Sequence, residues 1–449
     1  MHIHILGICG TFMGGIAALA RAAGHDVTGA DEHVYPPMSE QLQALDIEVI
    51  EGYDSKQLQP PPDLVIIGNA LSRGNAAVEY VLDHKLPYIS GPQWLGQHYL
   101  HQRQVIAVAG THGKTTTTAM LVKILRHAGL DPGYLIGGAA LDFAHSAAAG
   151  SGPFVIEADE YDTAFFDKRA KFVHYHPDVL VLNNLEYDHA DIYPSLAAIQ
   201  TQFHHLLRSV PGNGRIVHNT ADANLDAVLD MGCWSTRCGF GQQHGDWQVV
   251  LDSMDASRLR FLHCGNAVGT LDWQHLGVHN ALNACAAIAA AAAVAVSPAQ
   301  ALAALADFQG VRRRLEVILC DAALTVYDDF AHHPTAIAST LDGLRRRIGS
   351  KAPLHVALEL RSNTMRSGEH RQQLAAALAA ADLVAVRVPA DLSWDIAAVL
   401  NELQVPAQSF TVTDAMLDWL WQQQQSPQHI VFMSNGGFDN APRRYAKLA

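Results

Sequence analysis

The segment 105–120, VIAVAGTHGKTTTTAM, constrains the fold more than any other stretch of the chain. An apolar run leads into glycines 110 and 113, then Lys114, a threonine run and a helical pattern. That order predicts a buried strand, a tight turn and a helix. Such a turn suits phosphate: glycine lets the backbone approach closely, Lys114 supplies charge, and the positive helix end faces the anion. The Thr115 hydroxyl is a hard oxygen ligand suited to magnesium. The general pattern G-x-x-x-x-G-K-[ST] has a glycine where this chain has Val108. The loop therefore departs from that pattern at its upstream end, and an incidental glycine-rich turn is the competing reading.

A strand–loop–helix of this kind belongs to an α/β layer, and three such blocks follow one another. Block 1–103 opens with HIHILGI, the turn GICGTFMGG, a helix GIAALARAA and HDVTGAD, whose strand closes on Asp31. Block 104–309 adds the apolar strands PFVIEA (153–158) and DVLVLNNL (178–185), an irregular β-like stretch over 213–275, and an alanine-rich helix. Block 310–449 alternates ALTVYDDF, PLHVALEL, DLVAVRV and HIVFMSNGG with helices. Continuous apolar strands between helices indicate parallel sheets covered on both faces. The expected fold is α/β in three domains: a Rossmann-like N-terminal domain, a central P-loop mononucleotide-binding domain and a Rossmann-like C-terminal domain.

A net charge of −14 excludes broad nucleic-acid or anionic-membrane binding, because both need a basic field. Anionic ligands must be held by local cations and backbone N–H groups. The run ACAAIAAAAAVAV (284–296) is too short to cross a bilayer, and the N-terminus lacks the basic region of a signal peptide. The six cysteines form no C-x-x-C pair and read as reduced thiols. A cytoplasmic monomer or weak dimer is expected.

Acids gather where a metal-bound triphosphate would need them. EADEYD carries Glu157, Asp159 and Glu160, and NNLEYDHADIY carries Glu186, Asp188 and His189. In a parallel sheet, C-terminal strand ends lie along one edge with the phosphate loop. HNALN sets His279, Asn280 and Asn283 on one helical turn, as helix caps or as amides that read an adenine edge. GVRRRLEV brings Arg312, Arg313 and Arg314 to a domain junction, and VYDDFAHHP ends in Asp328, Asp329, His332 and His333. The arginines suit a phosphate and either aspartate a ribose. The histidine pair has no third ligand at useful spacing, so no dedicated zinc site is expected.

Two other classes fit less well. An NAD-dependent oxidoreductase would use G-x-G-x-x-G, whereas the first turn is G-x-x-G-x-x-x-G. A non-catalytic nucleotide switch would not need three substrate-sized domains.

GICGTFMGG, GTHGKTTT, EADEYD, NNLEYDHADIY, HNALN, FQGVRRR and DDFAHHP together resemble the Mur ligase family, and the resemblance covers essentially the whole chain. The family loop is G-T-x-G-K-[ST], without the upstream glycine. The resemblance implies an ATP- and Mg2+-dependent amide ligase that forms an acyl phosphate on a carboxylate before an amine attacks it. The implied domains are UDP-sugar-binding (1–103), ATP-binding (104–309) and amine-substrate (310–449). EADE…DH and DDFAHHP resemble the branch that acts on UDP-N-acetylmuramate. GICGTFMGG, with Cys9 where the L-alanine-adding members usually have glycine, EADEYDTAFFDKRAKFVHY and LRSNTMRSG favour the members that add the murein tripeptide L-Ala-γ-D-Glu-meso-diaminopimelate in recycling, with the L-alanine-adding members as the alternative.

Residue by residue, the resemblance implies catalytic roles for Lys114, Glu157 and His189. It implies metal ligation by Thr115, Glu157 and His189. ATP contacts fall to Gly110, Thr111, His112, Gly113, Lys114, Thr115, Thr116, Asn280, Asn283, Arg314 and Asp329. UDP-sugar contacts are expected from Gly7, Gly10, Asp31, Asn69, Ser72 and Asn75, and tripeptide contacts from Arg361, Arg366, Ser434 and Asn435. Many members carry a carbamylated lysine after the DH motif; YPSLAAIQTQFHHLLRS has no lysine, so that bridge cannot form here.

Overall fold

The computed structural model describes residues 1–35 and 38–449. Among the described residues, three large sheets carry the chain, and Asp162–Ala164 pairs with Asp167–Ala170 in a fourth, two-stranded one. In the first, Glu48–Glu51, Asp26–Asp31, His2–Leu6, Leu64–Ile67 and Tyr88–Ser90 lie side by side in that order, all parallel. Ile3, Ile5, Ile66 and Ile67 are fully buried, as a sheet covered on both faces requires. The glycine turn and Asp31 fall at the C-terminal edge.

The central sheet has ten strands. Its middle is parallel: Arg215–Asn219, Val179–Leu182, Val105–Ala109, Phe154–Ala158 and Gly133–Leu135. The stretch 213–275, irregular in sequence, supplies five strands, and its last three, Trp247–Leu251, Arg258–His263 and Asn266–Asp272, pair antiparallel. The sheet is therefore mixed rather than wholly parallel. Of Arg258–His263 only Leu259 and Phe261 are buried, and of Asn266–Asp272 only Leu271, so these outer strands lack the apolar runs that mark the middle ones.

Helix Lys114–His127 follows the phosphate loop and packs against Val278–Ala293, whose residues Ala284 to Ala291 are almost wholly buried. Small side chains let the two helix backbones approach closely, which brings the asparagines of one helix to the N-terminus of the other. The third sheet holds Leu324–Asp329, Gln428–Met433, Leu354–Glu359, Leu383–Arg387 and Ala407–Phe410 in parallel, with Glu316–Cys320 antiparallel at one edge.

The first two domains share one apolar cluster, running from Ile3 and Trp94 through Leu135 and Phe172 to Phe203. Gly96 sits so close to His174 that an added Cβ would lie 2.1 Å from its carbonyl oxygen. The C-terminal domain keeps its own core, against which Leu276 of the central domain packs, while its Val311 enters the central cluster. Among the described residues no helix is long and apolar enough to cross a membrane, and all six cysteines are free.

Candidate active site

The phosphate loop is braced by the neighbouring strand end. Thr111 N–H donates to the Asn184 carbonyl at 3.1 Å, and His112 N–H donates to Asn184 Oδ1 at 2.7 Å. Glu186 N–H donates to Thr111 Oγ1 at 2.9 Å. The amides left for an anion are those that open the helix, where the first turn has no intrahelical acceptor. Gly113 has φ +80°, and a Cβ there would stand 2.4 Å from Asn283 Oδ1. Only glycine fits that position.

Lys114 Nζ donates to the Gly110 carbonyl at 2.7 Å and to Glu160 Oε2 at 2.8 Å. Glu160 Oε1 lies 3.1 Å from His189 Nε2. Burial alone would raise the Glu160 pKa, but the Lys114 charge and the His189 hydrogen bond hold it below the ordinary range. Burial opposes protonation of His189, and Glu160 raises it above the usual imidazole value. Lysine, glutamate and histidine thus form one charged chain beneath the loop.

Thr115 Oγ1 donates to Glu157 Oε1 at 2.5 Å, and Gly137 N–H donates to the other carboxylate oxygen. Burial pushes the Glu157 pKa up against those bonds. A half-buried carboxylate beside a hydroxyl, both oxygen donors, fits a hard cation that would restore its charge.

A chain of amides reaches the same place from the alanine-rich helix. Asn280 Nδ2 donates to the Leu276 carbonyl at 2.8 Å and Asn283 Nδ2 to Asn280 Oδ1 at 3.5 Å. Asn183 Nδ2 donates to Thr117 Oγ1 at 2.9 Å and to Asn283 Oδ1 at 3.3 Å. Asn183 and Asn184 were missed as site residues in the sequence, where NN reads as the end of a strand. Their only signal was their place at a strand tip beside the loop.

The C-terminal domain roofs this edge. Thr335 Oγ1 donates to Glu186 Oε1 at 3.0 Å, and Thr364 Oγ1 donates to Asp188 Oδ1 at 2.8 Å. Arg314 lies with its guanidinium carbon 4.7 Å from the Phe330 ring centre and makes no ion pair among the described residues. Burial lowers its pKa, with Asp329 opposing. Asp329 accepts from Leu315 N–H at 2.6 Å and Ala331 N–H at 2.8 Å, so both its oxygens hold the turn that carries Arg314. Arg313 is spent on the Ser434 carbonyl at 2.6 Å. His333, though not His332, comes close to Glu186 and His112 across the domain boundary. They are far apart in sequence, which is why spacing could not reveal them.

The remaining expected residues fall into two further places. At the first sheet's edge, Gly7 has φ +82° and donates to the Ala30 carbonyl at 2.8 Å; Gly10 opens the following helix. Asp31 accepts from Cys9 N–H at 2.8 Å, and Asn75 caps helix Ala76–Asp83 through Ala77 and Val78 N–H. Asn69 and Ser72 are exposed. In the C-terminal domain, Arg361 packs over Gly436, Ser434 Oγ donates to Glu359 Oε2 at 2.5 Å, and Arg366 pairs with Asp391. Asn435 Oδ1 is buried with no partner among the described residues.

Fold and site define a three-domain α/β protein with a phosphate loop braced from beside and roofed by its last domain. The chain belongs to the Mur ligase family. Residues 2–103 match the Mur ligase family catalytic domain, 108–291 the Mur ligase middle domain, and 313–436 the Mur ligase glutamate ligase domain. The chain is 53% identical to the UDP-N-acetylmuramate–L-alanyl-γ-D-glutamyl-meso-2,6-diaminoheptandioate ligase of Escherichia coli K12, over 98% of this chain and 96% of that one. It is 33% identical to a UDP-N-acetylmuramate–L-alanine ligase of Syntrophomonas wolfei, over 76% and 73%. The crystal structure of a murein peptide ligase from Psychrobacter arcticus superposes with a TM-score of 0.75 at 44% identity, covering 100% of this chain and 98% of that one.

Proposed function

We propose that this chain is an ATP-dependent carbon–nitrogen ligase that joins L-Ala-γ-D-Glu-meso-diaminopimelate to UDP-N-acetylmuramate in murein recycling. The observation that carries the choice of amine is the 53% identity, nearly end to end, to a tripeptide ligase, against 33% over about three quarters of the chain for an L-alanine ligase. Boundaries near 103/104 and 309/310 accord with the three sheets.

A carboxylate is a poor electrophile, and phosphorylation supplies it with a leaving group. The protein's task is then to position the reactants and neutralise phosphate charge. Lys114, held by Glu160 and the Gly110 carbonyl, would supply the charge that a transferred phosphate meets. Thr115 and Glu157 would hold Mg2+, which supplies charge neutralisation there; His189 stands on the other side of Glu160 as a further candidate. Gly110, Thr111, His112, Gly113 and Thr116 shape the nucleotide loop. Asn280 and Asn283 would read adenine, and Arg314, carried by the Asp329 turn, would reach the nucleotide from the C-terminal domain.

Gly7, Gly10, Asp31, Asn69, Ser72 and Asn75 line the edge proposed for the UDP moiety. Arg361, Arg366, Ser434 and Asn435 are proposed for the carboxylate-rich tripeptide. Phosphate release in the presence of ATP and UDP-N-acetylmuramate should depend on the tripeptide and be weak with free L-alanine at equal concentration. A strong preference for L-alanine would overturn this reading.

A further inference from the structure

Three side chains from three separate segments meet at the boundary between the central and C-terminal domains. His112 comes from the phosphate loop, Glu186 from the strand end beside it, and His333 from the cap of helix Pro334–Ile348. One ligand atom of each lies within 4.8 Å of the others. Glu186 Oε2 stands 3.2 Å from His112 Nε2 and 3.1 Å from His333 Nδ1. Nitrogen and oxygen ligands at about 2.0–2.1 Å around a tetrahedral ion stand roughly 3.3 Å apart, so two edges of such a site are already in place.

His333 Nδ1 faces the Glu186 carboxylate and accepts weakly from Thr335 N–H at 3.3 Å, a cap contact that a bound ion would displace. The second carboxylate oxygen is oriented by Thr335 Oγ1 at 3.0 Å, as ligating carboxylates commonly are.

We propose that His112, Glu186 and His333 bind a divalent transition ion of the zinc class, which clasps the C-terminal domain onto the phosphate loop. Two imidazoles and one carboxylate favour zinc, cobalt or nickel over magnesium, which prefers oxygen alone. The site is distinct from the Thr115–Glu157 oxygen pair.

Full-length protein without nucleotide, in excess Mg2+ to fill hard sites, is titrated with Co2+ as the spectroscopic probe. One equivalent should bind with a visible d–d band that Zn2+ abolishes. Glu186→Gln and His333→Asn should each weaken binding by at least about tenfold, while Glu157→Gln should retain the band. Hydrogen exchange over 330–348 should slow when Zn2+ is added. No stoichiometric band, or a band surviving in both variants, overturns the site. Binding without slower exchange overturns the clasp. Because no nucleotide or amine is present, failure here leaves the ligase reading untouched.

Discussion

The chain makes the same local structure twice and arms it differently. His2–Leu6 and Val105–Ala109 are both buried parallel strands that run through a glycine turn into a helix. The first turn offers backbone N–H groups and a single acid, Asp31, whose carboxylate is taken up by the Cys9 N–H. The second adds Lys114, Thr115 and, from adjoining strands, Glu157, Glu160 and His189. Backbone amides suffice to hold a diphosphate. A phosphate in transfer needs charge placed before the reaction begins. The difference lies in Lys114 and Thr115, which open the second helix, and in the side chains that neighbouring strand ends bring to them.

Removing the charge carried by the second turn should have the largest effect. Lys114→Ala is expected to lower kcat by at least about a hundredfold, measured as phosphate release with the melting curve as a folding control. Asp31→Asn keeps an acceptor and should change kcat/KM by no more than about fivefold, the worth of one ordinary hydrogen bond. Equal losses at the two turns would break the contrast.

Acid should separate the regions next. His4, beneath the first turn, is buried and its pKa is lowered by burial to about 4 from 6.5. The unfolded chain therefore binds a proton between those values that the folded chain refuses. Its contribution is complete above pH 6.5 and is lost as pH falls toward 4, by about 2–4 kcal/mol. Urea melts across that window should show the slope, and His4→Val should flatten it.

The glycines differ in what surrounds them. Gly113→Ala forces a left-handed φ and meets an amide oxygen, for an expected cost of about 2–3 kcal/mol and a weakened ATP affinity. Gly7→Ala shares the φ, but its Cβ meets the mobile tip of Leu71 at 2.9 Å, so about 1 kcal/mol is expected. Thermal denaturation with and without ATP compares them. The smallest effect is at Asn75: replacing the helix cap by alanine should cost about 1 kcal/mol, and Asn75→Asp should restore it. A raised KM for UDP-N-acetylmuramate in both variants would add ligand contact to capping.

The strands, the phosphate loop and the acids at EADEYD were legible because each is a local pattern: an apolar run, a glycine at fixed spacing, a charge after a strand. What could not be read depends on the course of the chain between distant segments. Asn184 holds the loop across more than seventy positions, and Thr335 reaches Glu186 across 149. Asp329 sits in a conspicuous motif, yet its oxygens serve two backbone amides. Sequence reveals that a polar residue stands at a strand tip. Only the fold decides whether its partner is a ligand or the chain itself.

Glu186 touches the phosphate loop through His112 and the last domain through Thr335. Were a nucleotide to bind on this loop, its release would have to break the Thr335–Glu186 contact or pass around it, and opening of the last domain, rather than chemistry, would then limit turnover.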